Sequence, residues 1–262
     1  MKTPIVITAF GTTTKALETY SFINKILYDR FPGHDLLWAY SSRMVKDRLK
    51  KNSQINLIDP NQVLRELEQK GHKWAVVQSL HLICGHEFYR LAEEARTHKI
   101  RTSMGLPLLS DPEDYERVVK AFVKKIPNYN NSAIVLVGHG TDHPGWSSYL
   151  ALQHIAQAEL GQNLFMGVLE EFPGMDRIVE AVKRSGFQSV HLVPFLLVAG
   201  THFQEDIIGN DNSWKTAFEK LNIEVSYENK GLGFQREIID IFCDHIQEAM
   251  DYIPNQEIKT YD

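Results

Sequence analysis

Ile5-Val6-Ile7-Thr8-Ala9-Phe10-Gly11-Thr12 returns in altered form as Ile134-Val135-Leu136-Val137-Gly138-His139-Gly140-Thr141. Each copy is a short, β-branched apolar run stopped by a glycine-bearing turn, the pattern of a strand buried on both faces. Residue 5 falls on residue 134, an offset of 129. Three further matches follow in the same order. Asp35-Leu36-Leu37-Trp38-Ala39-Tyr40 falls on Asn163-Leu164-Phe165-Met166-Gly167-Val168 at offset 128. Leu82-Ile83-Cys84-Gly85-His86-Glu87-Phe88 falls on Leu197-Val198-Ala199-Gly200-Thr201-His202-Phe203 at 115, and Gly105-Leu106 on Gly231-Leu232 at 126. One match alone would be coincidence; four in order indicate a duplicated unit.

Between these anchors, apolar runs alternate with amphipathic ones. Strands are predicted at 5–8, 35–40, 73–80, 134–137, 164–169, 190–197 and 223–227. Helices are predicted at 16–31, 60–70, 88–99, 112–126, 149–160, 175–185, 213–221 and 235–252. Strand–helix alternation with continuous apolar strands means α/β: mainly parallel sheets flanked on both faces by helices. The duplication makes this two similar lobes related by a pseudo-twofold. The polar stretch 127–132 marks the join, giving an N-terminal lobe over 1–128 and a C-terminal lobe over 129–262.

Composition narrows the class. Hydrophobic residues are 43% and charged residues 23%, ordinary for a globular protein, and the net charge of −5 shows no clustered basic footprint for nucleic acid. The longest apolar runs are far too short to span a bilayer. The N-terminal Met-Lys-Thr-Pro-Ile-Val-Ile-Thr reads as a buried strand rather than a signal peptide, because its apolar stretch is short and interrupted by Thr8. Cys84 and Cys243 form no disulfide framework and read as structural thiols in a reducing cytoplasm.

Two α/β lobes place a ligand cleft at the carboxyl ends of their strands. The repeat then selects the residues on its walls: His139 opposite Phe10, Glu170 opposite Ser42, His202 opposite Glu87. His139 lies between two glycines at a strand end, where backbone can approach a ligand closely. Strand alternation through 168–171 would send Glu170 to the cleft and Glu171 away. His143 sits four residues after His139, but Gly140 and Pro144 deny a helix between them, so the helical metal-site pattern fails. His81 reads as either a core residue or a support to the site, and His86 adjoins Glu87. Gly231-Leu232-Gly233 is no dinucleotide fingerprint, and neither a phosphate-binding GxxxxGK loop nor a nucleophile elbow occurs. Two imidazoles with a carboxylate suit a borderline divalent ion such as Co²⁺, Ni²⁺, Fe²⁺ or Zn²⁺, held loosely enough to pass on.

The Gly-His-Gly-Thr at 138–141, the Val168-Leu169-Glu170 segment before Phe172-Pro173, and Leu197-Val198-Ala199-Gly200-Thr201-His202 with Asp206, Gly209, Asp211, Ser213 and Trp214 together resemble the class II tetrapyrrole chelatases. The nearest subgroup is the sirohydrochlorin cobaltochelatases of CbiK type, and the likeness runs from Ile5 to about Ile246. The resemblance implies a chelatase-like pair of lobes around a tetrapyrrole and insertion of Co²⁺ into sirohydrochlorin during anaerobic cobalamin synthesis. It implies His139, Glu170 and His202 at the metal, with the two histidines and Glu87 as catalytic groups. Phe10 and Ser42 on the opposite wall are the candidate contacts to the ring, and Arg43 a candidate partner for its carboxylates. No organic cofactor is implied, and a homo-oligomer is left open. Glu171 stands where the family has glycine and Thr201 where it has Asp, which loosens the choice of metal. The alternatives are a ferrochelatase or nickel chelatase on the same tetrapyrrole, or a tetrapyrrole- or haem-binding protein without turnover.

Overall fold

The computed structural model describes residues 2–11, 17–41, 58–124 and 131–254. The first half runs β1 (Ile5–Ala9), α1 (Leu17–Arg30), β2 (Leu36–Tyr40), α2 (Pro60–Gln69), β3 (Trp74–Ser79), α3 (His86–Arg96), β4 (Arg101–Gly105) and α4 (Pro112–Val123). The second runs β5 (Ala133–Gly138), α5 (Ser147–Leu160), β6 (Leu164–Val168), α6 (Met175–Arg184), β7 (Ser189–Pro194), α7 (Trp214–Glu219), β8 (Glu224–Tyr227) and α8 (Arg236–Asp251). The two sheets have the same order, β2-β1-β3-β4 and β6-β5-β7-β8, and every pairing is parallel.

The register reproduces the repeat. Ile5 pairs with Leu36 and Val76; Ile134 pairs with Leu164 and His191. Those equivalences are offsets of 129, 128 and 115, the values read from the sequence matches. The fourth strand departs: Val76 pairs with Ser103 and His191 with Ser226, an offset of 123 rather than 126. Gly105 ends β4, whereas Gly231 lies past the end of β8, three residues beyond the position that the strand register makes equivalent.

Alternation along each strand fills two faces. Ile5, Ile7 and Ala9 face one cluster with α1 and α8, while Val6 faces another with α2 and α3. In β5, Ile134 and Leu136 join the same central cluster, and Ala133, Val135 and Val137 pack toward α6 and α7. The central cluster is shared by both sheets. Its occupancy by α8 was not legible in the repeat: Ile238, Ile239, Ile241 and Phe242 are fully buried, and the helix lies on β3 and β4 of the first sheet. A buried pair fastens it there. His245 Nε2 donates to Asp114 Oδ1 at 3.1 Å and Nδ1 donates to the Leu106 carbonyl at 3.0 Å. With acceptors at both nitrogens the ring is an imidazolium. Burial works against that charge, but the Asp114 carboxylate outweighs it and raises the His245 pKa. Burial likewise works against the Asp114 carboxylate, yet His245 and the Ser110 and Asp111 amides hold its pKa below the ordinary value. In the reverse sense α4 reaches the second half, where Phe122 meets Phe195 with ring centroids 6.2 Å apart.

One strand escaped the sequence reading. β4 is Arg-Thr-Ser-Met-Gly at a sheet edge, partly exposed, so it carries no apolar run to betray it. Among the described residues no helix is long and apolar enough to cross a membrane.

Candidate active site

The second half's three candidates arrive from three adjacent loops at the strands' carboxyl ends. β5 ends at Gly138, and Gly140 adopts φ +95, a left-handed conformation that favours glycine. A side chain there could not be accommodated: a Cβ would stand 2.8 Å from the Glu170 carbonyl carbon and inside the radius of its oxygen. This contact lets the loops after β5 and β6 run together. Leu169 N–H donates to Gly138 O at 2.9 Å and Glu170 N–H to His139 O at 2.8 Å, while Gly140 N–H donates to the buried Tyr149 hydroxyl at 3.2 Å. Glu170 Oε2 comes to 3.9 Å from His139 Nδ1.

Strand alternation does not reach Glu170 and Glu171. β6 ends at Val168, before either residue, and Glu171 has φ +69, so the two lie in a turn rather than on a strand. The third loop follows β7 through Gly200 to His202, then winds into a single π-type turn, Phe203–Ile207, in which Ile208 N–H donates to Phe203 O at 3.1 Å. Phe203 and Ile207 are buried and anchor this turn. The His139 and His202 rings meet edge to face, centroids 5.0 Å apart at 89°. Their side chains are 43% and 50% exposed, and Glu170 is 62% exposed, so all three are open to a substrate rather than satisfied within the core.

Hydrogen bonding orients both imidazoles. His202 Nδ1 lies 2.7 Å from Asp206 Oδ2, and His139 Nδ1 lies 3.3 Å from Gly140 O. A carboxylate and a carbonyl only accept, so in the neutral form of each ring the proton belongs on Nδ1 and the lone pair on Nε2. Two lone pairs of this kind can bind a divalent metal or take a proton, one at a time. Glu170 stands at the Nδ1 edge of His139, and among the described residues no three His, Cys, Asp or Glu side chains converge into a metal cage. The arrangement is an open half-site.

The first half is less engaged. Glu87, in the first turn of α3, forms an ion pair with Arg90 at 2.5 Å, and Arg90 also donates to Ser41 O at 3.2 Å. Phe10 is 43% exposed directly after β1. Ser42 and Arg43 lie outside the described residues. His81 stands against Ser79 Oγ at 2.8 Å with its Nε2 buried and unpartnered. Burial, aided by the Arg90 charge, pushes its pKa down to about 4, so it is a neutral interior ring. His86 and His143 meet where the halves touch: His86 Nε2 pairs with Asp142 at 2.9 Å, and the two rings lie 4.9 Å apart. His143 Nδ1 accepts the Gly145 N–H at 3.0 Å, which puts its proton on Nε2 and leaves no lone pair for a metal. Both cysteines are free, with thiol pKa values raised by burial. Two supports escaped the sequence reading as such, Tyr149 and Asp206. Asp206 four residues after His202 was the available signal, since that spacing lets side chains meet on one helical face, as these two do at 2.7 Å.

The model of the family described as "Cobalt chelatase (CbiK)" matches residues 3–251. The chain belongs to the CbiK cobalt chelatase family. It is 29% identical over 258 residues to the sirohydrochlorin cobaltochelatase of Salmonella typhimurium, covering 96% of this chain and 97% of that protein. It is also 29% identical to the sirohydrochlorin cobaltochelatase CbiKC of Nitratidesulfovibrio vulgaris, covering 95% and 91%. In fold, the chelatase resembles the Bacillus subtilis sirohydrochlorin chelatase SirB in complex with cobalt, with TM-score 0.68, 18% identity and 98% of each chain covered. It shares that fold more distantly with CbiX, at TM-score 0.56 and 16% identity over 94% of this chain and 99% of that one. Two parallel four-stranded sheets flanked by helices are thus a chelatase architecture, and the chain is a metal chelatase.

Proposed function

We propose that this chelatase inserts Co²⁺ into sirohydrochlorin, with the metal and macrocycle meeting at His139 and His202. The observation that carries the reading is the pair of solvent-open imidazoles, 5.0 Å apart and each with an acceptor at Nδ1, at the strand ends of a CbiK-family chain. An open half-site holds an ion without completing its coordination, as transfer to a competing ligand demands.

Free sirohydrochlorin must lose two pyrrole N–H protons as the metal enters. An imidazole Nε2 lone pair binds metal or proton, not both, so a histidine that releases Co²⁺ to the ring becomes free to accept a ring proton. Glu170, beside the His139 Nδ1 edge and open to solvent, offsets the ion's charge as it loses water. Glu87 on the opposite wall, with Phe10 and Ser42, orients the macrocycle, and Arg90 holds the Glu87 carboxylate in place. The division into lobes 1–128 and 129–262 is part of the same proposal, with the metal-handling side chains all in the second and α8 returned to the first. Free thiols at Cys84 and Cys243 support a cytoplasmic setting.

A bis-histidine haem binder fits less well. Imidazoles on opposite sides of one iron, with metal–nitrogen bonds of about 2 Å, would point their coordinating nitrogens at each other with centroids roughly 6 Å apart, whereas these two rings meet edge to face at 5.0 Å. Purified protein given sirohydrochlorin with Co²⁺, Fe²⁺ or Ni²⁺ in separate reactions tests the proposal by the absorbance change of metallation. Multiple turnovers, fastest with Co²⁺, are expected. A stoichiometric spectral shift that stops at one equivalent would make the chain a binder instead.

A further inference from the structure

We infer that Asp206 is a positioning residue for His202: its carboxylate selects the Nδ1–H tautomer and so keeps the Nε2 lone pair aimed at incoming metal. The inference rests on the chelatase reading for its activity arm and on geometry alone for its structural arm. His202 Nδ1 donates to Asp206 Oδ2 at 2.7 Å, a charge-assisted distance. The two residues are four apart across the π-type turn Phe203–Ile207, whose ends are pinned by buried Phe203 and Ile207. That turn is wider than an α-helical one, with the bond from Ile208 N–H to Phe203 O closing it. The anchored backbone leaves Asp206 and His202 stacked on the exposed side of the turn.

A free imidazole places its proton on either nitrogen at little cost, and the Nε2–H tautomer has no lone pair where the metal needs one. An ionised carboxylate at Nδ1 removes that choice, because it can only accept. The same partner restrains the ring's rotation and raises its basicity toward metal. His139 has only a carbonyl at 3.3 Å and a carboxylate at 3.9 Å near its Nδ1, so His202 is the more firmly held of the pair. The Asp206 carboxylate forms its ion pair with His202.

Two measurements test this. The first is ¹⁵N-resolved NMR of the His202 ring at pH 8, without metal or tetrapyrrole. The wild-type chain should show the Nδ1–H tautomer predominating, and Asp206→Ala and Asp206→Asn should shift it toward Nε2–H. The second is steady-state metallation. Loss of a metal ligand's oriented partner typically costs 10–100-fold in metal affinity or activity. At a half-exposed site the lower end applies, so KM for Co²⁺ should rise about tenfold in both variants while KM for sirohydrochlorin stays within twofold. Asp206→Asn keeps the side-chain shape, which guards against a folding defect in the alanine variant. A wild-type ring in the Nε2–H tautomer, or variants with unchanged KM for Co²⁺, would overturn the inference. A wild-type chain with no cobalt insertion but with the Nδ1–H tautomer would instead overturn the proposed function and leave the positioning of His202 standing.

Discussion

Gly140→Ala puts the site's architecture to a quantitative test. The residue has φ +95, and non-glycine residues held in such a conformation cost of order 1–3 kcal/mol. The added Cβ would also lie within the radius of the Glu170 carbonyl oxygen, so the loops after β5 and β6 must part. Parting them breaks the bond from Glu170 N–H to His139 O at 2.8 Å and that from Gly140 N–H to Tyr149 at 3.2 Å. Each contributes about 1 kcal/mol net. The combined loss is about 3–5 kcal/mol, which for a chain of this length lowers Tm by at least 6 °C. The chemistry should suffer separately. A displacement of about 1 Å at a reacting centre can cost 10²-fold, and here it moves Glu170 relative to His139. Thermal unfolding by circular dichroism, with cobalt insertion measured well below the variant's Tm, reads both effects. A variant that melts within 1–2 °C of the wild type and inserts cobalt at the wild-type rate would refute the claim that this glycine couples the two loops.

Other perturbations address the remaining groups. His139→Ala and His202→Ala should each reduce insertion at least 100-fold in a turnover assay while Tm stays within about 2 °C, because truncating half-exposed side chains leaves no core void; a folded double variant with near-normal turnover would exclude both. Glu170→Gln should raise KM for Co²⁺ several-fold with little change in macrocycle binding measured by absorbance, and Glu171→Gln should match the wild type; the reverse ranking would reassign the carboxylate. Asp114→Asn should cost about 3 kcal/mol near pH 6, since it strands a buried imidazolium. His245 is raised above the ordinary histidine value, so its contribution is complete below about pH 6.5 and fades as pH rises through the raised value. Asp114 is depressed, so its contribution is lost only as pH falls through that low value. The Tm gap between variant and wild type should therefore narrow from pH 6 to pH 9, and a gap that widens would contradict the pairing.

The duplication was readable because buried parallel strands leave continuous apolar runs, and matching Ile5 to Ile134 set three strand registers correctly. The same signal fails at β4, whose Arg101, Thr102 and Ser103 satisfy an edge strand without an apolar run. At the site, glycines flagged His139, and the repeat pointed to His202. The strand predicted to run through Glu170 and Glu171 stops at Val168 because Glu171 takes a positive φ, which no residue preference announces. Asp206 lies four residues after His202, the spacing that lets side chains on one helical face meet, but the glycine-bearing segment before it does not announce a helical turn there. The placement of α8 was hidden for another reason: its apolar face shows that it is buried but not on which sheet.

That placement bears on how the polypeptide can be divided. The last helix of each half sits against the other half: α8 on β3 and β4, α4 against α5 and Phe195. The exchange is clasped where the helices cross, by Arg117 and Asp244 at 2.7 Å. A fragment ending at α4 would leave the inner face of its sheet without Ile238, Ile239, Ile241 and Phe242. The complementary fragment would carry that apolar helix with nothing to cover it. Neither piece is self-sufficient as a folding unit, whereas the two together restore every contact, so a chain severed after Lys124 should regain its shape only by fragment complementation.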